Sequence, residues 1–263
     1  MEKPQGVGAS VCALSEDRRA LLDGLRRTVR ALESPPPRWG RVTLGAGDMP
    51  ALARGCAHEV VPAAYLDGPA AAGVALMLAA RAMAQTRGGM ALVWGPGAGE
   101  FGAPYAPGLA VLGLDLKRVL FVRPRTPAET LSALEEAART PGLSAVAGFA
   151  PGRLGLSAGR RLSRSAEEGG VFVCLWRGFG VAPLEGARTR WRVGAAASAA
   201  ADWAAGLGAQ APPGPVRVRV AALKGRCLER DMVWEWQGAT HGFHSFAPVA
   251  GATPQPTDFA VSA

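Results

Sequence analysis

Four short runs, "MALVW" (90–94), "VLFV" (119–122), "LSAVAGF" (143–149) and "VFVCLW" (171–176), are apolar almost without interruption. A strand with one wet face alternates apolar and polar residues. A strand covered on both faces does not, and its usual setting is a parallel sheet flanked by helices. Helical segments are interspersed as that architecture requires. Ala70–Gln85 reads as a mostly apolar helix, and "SAGRRLSRSAEEGG" as another. In "TPAETLSALEEAARTPG", Thr126 is placed as cap, Pro127 at the first helical position and Glu129 at the third. After Trp191 the pattern changes to antiparallel strands in "VRVRVAAL" and "MVWEWQ". The expected fold is α/β, doubly wound, with a mainly parallel central sheet and helices on both faces. An N-terminal helical extension and C-terminal antiparallel strands complete it.

Three regions follow. In residues 1–37, Leu22, Leu25 and Val29 fall on one face of a helix that "SPPPRWG" stops, because consecutive prolines cannot continue it. That face packs either on its own domain or on another chain. Residues 38–237 form the α/β core, and 238–263, rich in Gly, Pro and Thr, is expected to be a partly ordered tail. No apolar run reaches the ~18 residues of a membrane span, and the N-terminus lacks a secretory layout. A cytoplasmic protein without a membrane partner is therefore expected. The four cysteines form no CxxC pair and there are only three histidines, so reduced thiols and no metal site are expected. Net charge is +8, which attracts polyanions without specifying one.

The stretch "LDGPAAAGVALMLAARAM" raises the question of nucleotide chemistry. Gly68 and Gly73 keep the spacing of a phosphate-binding loop between a strand and a helix. Such a loop needs a lysine to neutralise phosphate oxygens and Ser or Thr to hold magnesium. Here Val74 and Ala75 stand in those places. The strand ending at Gly148–Phe149 also lacks the aspartate that would share the metal. The reading is a degenerate loop with no cofactor and no catalytic residues. No Ser-His-Asp or Cys-His arrangement suggests a hydrolase.

In this order the elements resemble the ImuA family, RecA/SulA-like inducible mutagenesis proteins of bacteria. The most specific stretch is "YAPGLAVLGLDLKRVLFVRPRTPAETLSALEEAARTPGLSAVAGF". Supporting it are "LLDGLRRTVRALE", "LARGCAHEV", "GPAAAGVALMLAARAM", "LSAGRRLSRSAEEGGVFVCLWR" and "MVWEWQ". The resemblance implies a RecA-like core without ATPase chemistry, acting in the SOS damage response in the cytoplasm at the nucleoid. It implies as partners ImuB, an inactive Y-family polymerase homologue, an error-prone C-family polymerase, and RecA. By the same resemblance, two loops would face single-stranded DNA. They carry Arg153, Arg177, Arg188 and Arg190, with Trp176 and Trp191 interleaved. Trp191, inside the strand-like "TRWRV", reads rather as core. Glu100 is the only acidic residue near the position of a recombinase's water-activating glutamate, and reads as a solvated loop residue. The N-terminal helix would grip a partner through Leu22, Leu25 and Val29. Two other classes compete: a working RecA/KaiC-type ATPase and a SulA-like division inhibitor.

Overall fold

The computed structural model describes residues 38–47, 49–100, 102–150, 152–198, 215–225, 232–238 and 240–246. The helix expected to carry Leu22, Leu25 and Val29 lies outside the described residues.

Strands β1 (Arg41–Thr43) and β2 (Ala51–Ala53) form an antiparallel pair. The main alternation follows: β3 (Cys56–Pro62), α1 (Gly68–Ala84), β4 (Gly89–Val93), a short α2 (Ala106–Val111) and β5 (Val119–Val122). Then come α3 (Pro127–Arg139), β6 (Leu143–Phe149), α4 (Leu156–Gly169), β7 (Phe172–Trp176) and β8 (Thr189–Ala195). The chain ends, as described, in β9 (Arg217–Lys224), β10 (Met232–Gln237) and β11 (Gly242–Phe246). Among the described residues, nine strands make one sheet in the order β11-β10-β9-β8-β3-β7-β6-β4-β5. From β8 through β5 all neighbours are parallel, and from β8 outward through β11 all are antiparallel. The expected α/β sheet is present, mostly parallel in its central part.

Period-two alternation sorts the strand residues onto two faces. Val60, Leu92, Ala147, Phe172 and Cys174 pack under α1, whereas Ala57, Val93, Val146, Val173 and Leu175 pack under α3 and α4. The capping read from the sequence is realised: the Thr126 side chain accepts the Glu129 N–H at 3.1 Å, with Pro127 opening α3. Trp191 is 1% exposed and stacks toward Trp234 at 5.3 Å, so it belongs to the core.

One expectation needs correction, and the partly ordered tail takes a definite form. The segment Tyr65–Ala84 is long and apolar enough to qualify as a membrane span, with mean hydropathy 1.2. Its apolar character has a local cause, since α1 is buried from Val74 through Ala80 between the sheet and its surroundings. The ordered core also extends past residue 237. The strand β11 pairs with β10, and Phe243 is fully buried against Trp234 and Trp236. The aromatic side chains of this hairpin, rather than its Gly and Thr residues, decide its order.

Candidate functional site

Parallel α/β sheets place ligands at the carboxyl ends of their strands. At that end β3 stops at Pro62, β4 runs into Trp94, β6 ends at Phe149 and β7 at Trp176. A cavity of about 230 Å³ opens between these ends and the start of α1. Its floor is aromatic: the Trp94 and Trp176 rings are 5.3 Å apart, and Phe149 lies 6.1 Å from Trp176. Gly97 closes one side with φ +82°, and a Cβ there would meet Phe149 Cε1 at 2.9 Å, so the loop needs glycine twice over. Across the mouth, the Tyr65 hydroxyl donates to the Glu100 carboxylate. That bond holds the phenol in its protonated form and raises its pKa.

The glycine segment borders this cavity but is not a loop. A single 3-10 turn, Tyr65–Asp67, leads directly into α1, and Gly68 is already its first residue. Gly73 therefore sits inside the helix, where its N–H points along the helix axis instead of around a phosphate. The cause is local: Pro69 suits the first turn, and three alanines between the glycines favour helix. Val74 and Ala75 are 1% and 0% exposed, turned into the core. A cradle of wrapped N–H groups, expected from the spacing, is replaced by a helix start whose second residue has no N–H. Asp67 is committed elsewhere, accepting N–H bonds from Ala64 at 3.0 Å and Ala195 at 2.8 Å.

The four arginines expected to face DNA do not form a patch. Arg153 is exposed, just beyond the end of β6. Arg188 lies at the opposite end of the sheet, its N–H on the Ala57 carbonyl at the start of β3. Arg177 is 1% exposed and turns inward. Its Nη1 lies 3.1 Å from Glu59 Oε1, and its Nη2 donates to the Gly152 carbonyl. Arg190 approaches the same carboxylate at 3.6 Å and donates to the Val181 carbonyl at 2.9 Å. The Leu184 N–H completes the cage around Glu59. Burial pulls the Arg177 guanidinium below its ordinary value, while Glu59 pulls it back up. Arg177 and Arg190 thus work inward, pinning the β7–β8 connection beneath the sheet, because a buried carboxylate in β3 demands cations.

Glu59 went unnoticed at the level of sequence, although a lone acid inside the apolar "CAHEVV" is the signal for it. The cavity lining also had a readable signature. Three of the four apolar runs end in an aromatic with Gly or Pro within the next two residues, in "WGPG", "FAPG" and "WRG".

No family model matches the chain. Protein ImuA of Caulobacter vibrioides, in strains NA1000 / CB15N and ATCC 19089 / CIP 103742 / CB 15, is 34% identical over 204 residues. That alignment covers 73% of this chain and 80% of each relative. The succession of strands and helices, the altered glycine segment and this identity lead to one conclusion: the chain belongs to the ImuA family.

Proposed function

We propose that this chain is a non-enzymatic accessory protein of SOS-induced mutagenic DNA synthesis, acting by contact through a RecA-like core. Family membership supports its place in the damage response. The parallel strands with helices on both faces and a cavity at their carboxyl ends support the recombinase-like reading. One observation carries the loss of catalysis: the two positions that would supply a cation and a magnesium ligand are sealed in the core as Val74 and Ala75. Phosphoryl transfer depends on electrostatic stabilisation at the phosphates, and neither of these residues supplies any.

Contact remains as the mode of action. The edge strand β5, unpaired on its outer side among the described residues, leaves Leu120 and Phe121 60% and 44% exposed, and an edge of this kind is open to another chain. We assign as partners the inactive Y-family polymerase homologue ImuB, with RecA and an error-prone C-family polymerase beside it. The test is genetic. Deleting the gene should reduce ultraviolet-induced mutation to the uninduced level, and re-expression should restore it, with ImuB recovered on a tagged copy from damaged cells. Unchanged induced mutagenesis in the deletion strain would refute the reading.

A further inference from the structure

The aromatic cavity has a neighbour of opposite character. A second, open hollow of about 560 Å³ shares Trp94 and Gly97 with it and is bounded on the far side by Arg123 and Arg125. Both arginines are exposed, and neither guanidinium is in an ion pair among the described residues. Arg123 lies 5.9 Å from the Phe121 ring, and the Glu129 carboxylate nearby is occupied by the Arg125 backbone N–H at 2.8 Å. One wall therefore separates an aromatic recess from two exposed cations.

We propose that these adjoining hollows bind one nucleotide unit, its base in the aromatic cavity and its phosphate on Arg123 and Arg125. The division of labour follows from charge. Among the described lining residues the one cation, the Arg177 guanidinium, is held by Glu59, and Glu100 adds a carboxylate at the mouth. A phosphate is repelled from that space, whereas an uncharged base is accepted by the Trp94, Trp176 and Phe149 rings. The Glu100 carboxylate can accept an N–H from a base amino group. Outside, the paired guanidiniums suit a phosphate diester or monoester. An apolar protein side chain would fill the recess equally well but would leave both arginines without a function. The proposal stands apart from the damage-response reading, because it uses only the shape and charge of this end of the sheet.

Two sources offer this chemistry, a single-stranded polynucleotide and a free mononucleotide. The experiment titrates the full chain at low salt with a fluorescently labelled oligodeoxynucleotide, then competes with adenosine monophosphate. Binding should weaken by about tenfold or more in Arg123→Glu/Arg125→Glu, as expected for losing two phosphate contacts. The exposed Arg87→Glu, at the other end of the sheet, should leave binding unchanged. An abasic oligonucleotide of the same length should bind about tenfold more weakly, since stacking is lost. Competition by the mononucleotide assigns the site to free nucleotides as well; tight oligonucleotide binding without competition assigns it to the polymer. Absence of binding to either ligand overturns the proposal. So does affinity unaltered by the double reversal, with an unshifted melting temperature showing that the variant is folded, or equal affinity for the abasic strand.

Discussion

Two polar side chains adjacent in β3, His58 and Glu59, point to opposite faces of the sheet and are satisfied in opposite ways. On the α1 face, a closed chain of neutral bonds runs from Trp191 Nε1–H to Thr189 Oγ1, and from the Thr189 hydroxyl to His58 Nδ1. Because the Ala53 carbonyl can only accept, His58 Nε2 carries the proton and donates to it at 2.8 Å. The ring stacks on Phe172 at 4.7 Å, and burial lowers its pKa to about 4. On the other face Glu59 is ionic, gripping two arginines and a backbone N–H. The contrast separates two uses of buried polarity. The neutral chain has no spare valence and serves packing alone. The ionic cluster ties a sheet strand to the β7–β8 connection, and in doing so withdraws Arg177 from the cavity it would otherwise make cationic.

If the comparison holds, the largest penalty should come from Glu59→Ala. It would strand two buried or half-buried guanidiniums, and loss of one partner of a buried pair costs about 3–5 kcal/mol. Chemical denaturation would read it, and a loss below about 1 kcal/mol would mean that water already screens the cluster. Acid should strike the other face. The unfolded chain takes up the His58 proton near 6.5, but the folded chain only near 4. Stability from the buried neutral ring is therefore complete above pH 6.5 and falls as pH drops through 6.5 toward 4, by roughly 3 kcal/mol. His58→Gln should flatten that part of the melting-temperature profile. Thr189→Val should cost roughly 2 kcal/mol in denaturant, since it leaves the Trp191 N–H and His58 Nδ1 without partners. At the small end, Arg153→Glu should alter stability by no more than about 0.5 kcal/mol, as for an exposed position outside any network among the described residues.

The strands and helices of the parallel core were legible because each carries its own local cause. Apolar runs mark β5 and β6 to the residue, and the Thr126 cap marks the start of α3. What failed was inference across the sheet. Glycine spacing alone did not report that alanines 70–72 extend the helix back to Gly68, turning a loop into a helical turn. Charge alone did not report the direction of arginine side chains. Arg177 and Arg190 read as a surface pair until Glu59, 118 residues from Arg177, is seen to lie between them. Such a partner is set by strand order, with β3 seated between β7 and β8, and strand order leaves no mark in any one segment. The Trp94, Trp176 and Phe149 cluster depends on the same register.

The strand-end cavity is proposed to bind phosphate esters without turning them over. The most direct measurement is release of phosphate from ATP by the purified full chain with magnesium. No release above the protein-free blank is expected. Magnesium-dependent release that disappears in Glu100→Gln would contradict that proposal, because it would show catalysis at a cavity beside which Val74 and Ala75, in place of cation and metal ligand, are turned into the core.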